Sequence, residues 1–159
     1  MYEISKSFDF CYGHRVWNQD LKQEYAGQVG SKCKHLHGHQ GRVVIFLKAT
    51  NLSNGMVTDF NHLNWLKQFI DEHIDHRFVI DQNDPIFGYV MCALNDENNE
   101  QLEKEYDDSF YAVDFVPTSE NLAKWIFELV QKKMEPLDVR VSKVEWWETP
   151  KSCSVYKTE

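Results

Sequence analysis

Two histidines one residue apart run straight into a strand. The segment Cys33-Lys34-His35-Leu36-His37-Gly38-His39 is followed by Arg42-Val43-Val44-Ile45-Phe46-Leu47, an apolar stretch of strand character. Alternate residues on a strand share a face, so His37 and His39 point at one common object. Zinc suits neutral imidazoles. His14 joins them from another strand, because Ile4, Phe8, Phe10, Tyr12 and His14 share one parity. Three histidines leave the fourth position of a zinc site open, as catalytic sites require. Cys33 as a fourth ligand would close the site and make it structural. The spacing permits Cys33 to be either ligand or nucleophile. The plainest alternative places the histidines on a solvated strand with no metal at all.

The rest of the chain supplies a core for that strand. At 159 residues, with ten Phe, seven Tyr and five Trp, it is expected to form one domain over residues 1–159. Asn54-Gly55 signals a turn, and Met56-Val57-Thr58 a short continuation of strand. Asp59 is a helix cap before Phe60, Leu63, Leu66, Phe69, Ile70 and Ile74, a helical spacing that predicts a helix ending near Asp75-His76. Pro117-Thr118-Ser119-Glu120 opens a second helix with Leu122, Trp125, Ile126, Leu129 and Met134 on one stripe, stopped at Pro136. Alternation over 139–148 and 152–157 predicts two further strands. The expectation is an α+β domain, a four-stranded antiparallel sheet with two helices on one face.

Charge narrows the partners. The net charge of −8 argues against nucleic-acid binding. From Gly88 to Asp114, eight acidic residues face one lysine, a net −7 of that total. This reads as an acidic insertion at about 88–114, either a solvated loop or a short helix over Asn98–Asp107. The remainder is near neutral, so a small anionic substrate is compatible with the total. Neither a signal peptide nor a membrane-spanning stretch is evident. The four cysteines are scattered and include no CxxC pair. A cytoplasmic protein with reduced thiols is expected.

Four further residues carry chemistry in one reading and none in another. Asp75-His76 is either an exposed helix end or an Asp-oriented histidine that moves protons and activates a thiol. Glu148 is either solvated or holds a guanidine-like N–H edge by two charge-assisted hydrogen bonds. Thr118 is a helix cap at a helix start where a polar ligand also binds well.

Taken in order, His14, Cys33-x-x-x-His37-Gly38-His39, Gly55-Met56-Val57-x-Asp59-Phe60, Ile74-Asp75-His76-Arg77-Phe78, Pro117-Thr118-Ser119-Glu120-Asn121 and Glu148-Thr149 resemble the 6-pyruvoyl-tetrahydropterin synthase superfamily. The three-residue gap between Cys33 and His37 is most similar to its bacterial queuosine-pathway branch, which makes 6-carboxy-5,6,7,8-tetrahydropterin. The resemblance implies a tunnelling fold whose sheets close into an oligomeric barrel, a homohexamer, with sites at subunit boundaries. It implies Zn2+ on His14, His37 and His39, catalytic Cys33, Asp75 and His76, and a pterin ring held by Glu148 with Thr118 nearby. The implied substrate is 7,8-dihydroneopterin triphosphate, cleaved to 6-carboxy-5,6,7,8-tetrahydropterin, acetaldehyde and triphosphate. A pyruvoyl-type or aldolase-type pterin reaction at the same site is the rival enzyme reading. A small module stabilised by zinc on Cys33 and the histidines is the rival non-enzyme reading. Gly41 departs from the family, which usually has an aromatic residue there, and the acidic excursion is longer than usual. Arg15, Lys32, Lys34 and Arg42 are candidates for the triphosphate, with surface solvation the simpler role for each.

Overall fold

Strand β1 (Tyr2–His14) and strand β2 (His37–Ala49) pair antiparallel along their whole lengths, from Tyr2 opposite Ala49 to His14 opposite His37. They form the centre of the sheet in this computed structural model, which describes residues 1–95 and 108–158. The connection between them carries a single helical turn, α1 (Gln23–Ala26), and a 3-10 turn at Lys32–Lys34. Strand β5 (Arg140–Thr149) pairs antiparallel with β2, and β6 (Ser152–Lys157) with β5. These four are the strands the alternating pattern predicts.

The sheet is nevertheless six-stranded and mixed, which corrects the four-stranded antiparallel expectation. Strand β3 (Arg77–Asp81) runs parallel to β1, and β4 (Phe110–Val113) parallel to β3. The order is β4-β3-β1-β2-β5-β6. Both added strands are short, and β3 lies immediately after a helix, so neither shows a long alternation. Val79, Ile80 and Asp81 are all buried, the continuous pattern of a covered parallel strand. The expected strand at Met56-Val57-Thr58 reduces to one isolated bridge between Ser53 and Met56.

Helix α2 (Asn64–His73) follows a 3-10 turn at Phe60–Leu63, where the Asp59 carboxylate accepts the Asn61 N–H at 2.8 Å. Asp59 therefore caps as expected, but the first turn is tight. The helix stops at His73, short of Asp75-His76. His76 then adopts φ +59 and turns the chain into β3. Helix α3 (Phe87–Leu94) occupies the start of the acidic excursion. The possible helix over 98–107 lies outside the described residues. Helix α4 (Ser119–Met134) begins after Thr118, whose Oγ1 accepts the Asn121 N–H at 3.3 Å.

The apolar faces of α2 and α4 meet the same side of the sheet. Leu66 and Ile70 from α2 and Leu122, Ile126 and Val130 from α4 join Phe8, Phe10, Val43, Ile45, Leu47, Val144 and Trp146 in one core. The two helices touch through Phe69 and Trp125, ring centroids 5.6 Å apart. Each fully buried Leu or Ile contributes about 1.5–3 kcal/mol relative to exposure, so this face fixes the register of β1 and β2. A one-residue slip would expose Val43, Ile45 and Leu47 together. Among the described residues, no helix is long and apolar enough to cross a membrane.

Candidate metal centre and active site

The register that buries Phe8, Phe10 and Tyr12 also buries His14, which is 1% exposed. His14 stands opposite His37, and Tyr12 opposite His39. All three imidazoles thus gather at one end of the helix-covered face. Each offers a ring nitrogen within 4.8 Å of the other two, and their ring centroids lie 4.6 to 5.1 Å apart.

Backbone carbonyls fix the tautomers. His14 Nδ1 lies 2.7 Å from the Pro117 oxygen, and His37 Nδ1 lies 2.6 Å from the His35 oxygen. A carbonyl only accepts, so both Nδ1 atoms carry the proton and both Nε2 atoms keep a bare lone pair. This is the arrangement of metal-ligating histidines with an outer hydrogen bond. His14 Nε2 and His39 Nε2 are 3.1 Å apart. Two nitrogens on a tetrahedral zinc at about 2.05 Å are separated by about 3.3 Å. The donor set therefore fits zinc in chemistry and spacing. Burial, together with the neighbouring imidazoles, pushes the His14 pKa down to about 4 despite the Pro117 contact. Its ring is neutral at neutral pH, as a ligand must be.

Glu148 Oε1 lies 3.7 Å from His14 Nε2. It sits where the β5–β6 register shifts, between Trp147 and Thr149. Such irregularities re-aim a side chain. Burial and the Glu120 charge raise the Glu148 pKa, against the opposing influence of His37. The Pro117 carbonyl that holds His14 precedes Thr118, the cap of α4. One chain segment thus orients the metal centre and starts the helix.

Cys33 lies in the 3-10 turn at Lys32–Lys34 and is half-buried. It is not among the described side chains grouped for a metal, which are His14, His37 and His39 alone. Asp75 and His76 are brought to β1 instead. Asp75 Oδ1 accepts the Cys11 N–H at 2.8 Å, and Oδ2 lies 3.0 Å from His76 Nδ1. The His76 N–H donates to the Cys11 carbonyl at 2.7 Å. Burial opposes the Asp75 charge, but the Cys11 and His76 contacts outweigh it and hold the carboxyl below its ordinary pKa. The His76 ring is 80% exposed. It borders a groove of about 570 Å³ whose walls also include Cys11, Leu36, His37 and His39. Among the described residues, no hydrogen bond joins Cys33 to the Asp75–His76 pair.

Some important neighbours escaped the sequence reading. The Tyr12 hydroxyl accepts the Trp146 Nε1–H at 3.0 Å, and the Tyr12 ring meets the His14 ring at 5.1 Å. Tyr12 has the parity of His14, which is a usable signal. Gly41 is buried beneath these rings. A Cβ there would lie 2.9 Å from ring carbons of both Phe10 and Tyr12. The space above position 41 on β2 is thus filled by two aromatic rings on β1. Of the proposed triphosphate ligands, Arg15 is engaged with Asp84 and the Lys34 carbonyl, and Arg42 with Asp9.

A mixed sheet with two helices on one face and a three-imidazole centre beneath a helix start defines a metal-capable α+β domain. The chain belongs to the 6-pyruvoyl tetrahydropterin synthase family, whose profile matches residues 3–159. The 6-carboxy-5,6,7,8-tetrahydropterin synthase of Aquifex aeolicus is 38% identical over 169 aligned residues, covering 99% of each chain. An uncharacterized protein of Wolinella succinogenes has a crystal structure that superposes with TM-score 0.92 at 45% identity, covering 99% of this chain and 98% of that one. The 6-pyruvoyl tetrahydropterin synthase of Caenorhabditis elegans shares the fold, with TM-score 0.62 at 23% identity over 99% of this chain and 96% of that one.

Proposed function

We propose that this protein is a zinc-dependent carbon–carbon lyase acting on a pterin. It converts 7,8-dihydroneopterin triphosphate and one water to 6-carboxy-5,6,7,8-tetrahydropterin, acetaldehyde and triphosphate, a step of queuosine (7-deazaguanine) synthesis in the cytoplasm. The observation that carries the reading is the centre of three clustered histidines, two of them oriented by backbone carbonyls, with Cys33 outside the ligand group. Full-length similarity to the Aquifex aeolicus synthase supports the choice of product.

His14, His37 and His39 would hold the zinc. Bound there, zinc supplies Lewis acidity toward the hydroxyls of the substrate side chain. Glu148, half-buried beside His14, accepts hydrogen bonds from the amino-pyrimidine edge and fixes the ring. The Thr118 hydroxyl, whose oxygen already accepts from Asn121, donates its O–H to no acceptor among the described residues and can donate to a ligand nearby. The Cys33 thiol moves a proton at the side-chain carbon next to the ring. His76, held by Asp75, carries the complementary proton. No hydrogen bond joins Cys33 to His76 among the described residues, which is consistent with a site completed across subunits of a homo-oligomer. The family resemblance makes that assembly a hexameric barrel.

The test is turnover of 7,8-dihydroneopterin triphosphate by zinc-loaded protein, with products identified by mass and acetaldehyde assayed. Wild type should yield acetaldehyde and the carboxylated tetrahydropterin, and Cys33→Ala should keep zinc and fold but lose turnover. A pyruvoyl product would retain the site and change the reaction. Absent turnover, with zinc lost from Cys33→Ala, would replace the enzyme reading by a structural metal.

A further inference from the structure

We infer that Gln19, and Asp84 acting through Arg15, are positioning residues for the Cys33 thiol. The inference rests on the proposed role of Cys33 in catalysis.

Cys33 occupies a turn of three residues in the long connection between β1 and β2. The bonds within that turn, such as Lys34 N–H to the Ser31 carbonyl at 3.1 Å and His35 N–H to the Lys32 carbonyl at 3.0 Å, set its local shape. They do not set its place against the sheet. Three other bonds do, all made by residues 15–19. Val16 N–H donates to the Cys33 carbonyl at 2.7 Å. Cys33 N–H donates to Gln19 Oε1 at 3.1 Å. Arg15 donates to the Lys34 carbonyl at 3.1 Å. Both backbone polar groups of Cys33 are held this way.

The holding segment is itself anchored by buried charge. Arg15 grips Asp84 in a two-pronged pair, with Nε 2.6 Å from Oδ2 and the other prong 2.8 Å from Oδ1. Trp17 Nε1–H donates to Asp81 Oδ2 at 2.8 Å. Asp81 and Asp84 are 2% and 4% exposed; with His14 they are the buried polar residues among those described. Burying a carboxylate is costly unless its partners are in place, so the Asp84–Arg15 pair persists as a unit. Asp84 Oδ1 also accepts the Ile86 N–H at 2.9 Å, at the entrance to α3. Asp84 thereby ties the end of β3, the start of α3 and the turn that carries Cys33. Arg15 directly follows His14, so thiol and metal centre are fixed to one frame. Thiol placement matters because a shift of about 1 Å can cost a reaction about 100-fold.

The experiment compares zinc-loaded wild type, Gln19→Leu, Gln19→Glu, Asp84→Asn and Cys33→Ala. Turnover of 7,8-dihydroneopterin triphosphate is measured with zinc content, melting, and the rate of Cys33 alkylation by iodoacetamide, resolved by peptide mass. Alkylation at exposed Cys11 and Cys153 is the internal reference. Gln19→Leu and Asp84→Asn should lower kcat roughly 10- to 100-fold, with a much smaller change in KM. Their Cys33 alkylation should change while the reference cysteines do not. Gln19→Glu retains the acceptor and should restore kcat. Wild-type kcat and unchanged Cys33 alkylation in both folded variants would overturn the inference while leaving the lyase reading intact. Equal turnover by wild type and Cys33→Ala would overturn the role of Cys33 and this inference with it. If Asp84→Asn does not fold, the contrast between Gln19→Leu and Gln19→Glu decides.

Discussion

His14 donates its Nδ1–H to the Pro117 carbonyl at 2.7 Å, across 103 positions of sequence. This bond leaves Nε2 bare and aimed at the two other imidazoles. Replacing the ligand should remove the metal. We expect one zinc per chain in the wild type, and at least about 100-fold weaker binding in His14→Ala and His39→Ala. Metal analysis after dialysis measures this. Full zinc retention in either variant would require another ligand set.

Chelation should strip zinc without unfolding the chain. The core centres on Val43, Ile45, Leu66 and Ile126, all fully buried, and it depends on sheet and helices rather than on the ligands. Zinc then stabilises only by mass action. Chelator-treated protein should keep its circular dichroism and a cooperative melt at a lower Tm. Loss of structure on chelation would mark the metal as structural.

Asp75 should contribute to the acid limb of stability. Its carboxyl titrates below the ordinary value in the folded chain. The unfolded chain therefore takes up the proton first as pH falls. The contribution is present above the unfolded pKa of about 3.9 and is lost as pH falls through the lower folded pKa. Asp75→Asn keeps an acceptor for the Cys11 N–H but not this dependence. Urea midpoints measured across the acid range should converge for wild type and variant at low pH. Parallel curves would show that Asp75 is not the group responsible.

Tyr12→Phe should destabilise the fold without emptying the metal centre. It removes the acceptor for the buried Trp146 Nε1–H, and an orphaned buried donor costs about 1–3 kcal/mol. Urea denaturation reads the loss directly, and zinc content should hold. An unchanged midpoint would mean that water satisfies Trp146.

Gly41→Ala should cost about 1–3 kcal/mol by overpacking. The added methyl meets Phe10 and Tyr12 at 2.9 Å, and both rings are buried in the core. The same urea assay applies. A neutral result would show that the rings move aside freely.

The sequence showed whatever depends on period. The parity of Ile4 through His14 and the alternation after His39 placed three imidazoles on one face, and helical spacing found α2 and α4. It did not show β3 and β4, because four- and five-residue parallel strands leave too short a pattern to register. It also missed contacts that need tertiary structure. Arg15 reads as a surface cation until Asp84 arrives from 69 positions away. Asp75-His76 reads as a helix end until His76 turns and both residues bond the Cys11 backbone. The register shift at Glu148 has no mark in Trp146-Trp147-Glu148-Thr149.

The crowding at Gly41 also constrains the order in which this chain can change. Phe10, Tyr12 and position 41 share one volume, so an aromatic ring on β2 is admissible only after β1 has yielded space. Enlarging position 41 first passes through an overpacked intermediate. Trimming Tyr12 first orphans Trp146. Trimming Phe10 first leaves an apolar void, which for a buried Phe costs about 3–5 kcal/mol. Every first step carries its own cost, so positions 10, 12 and 41 can change only as a coupled set.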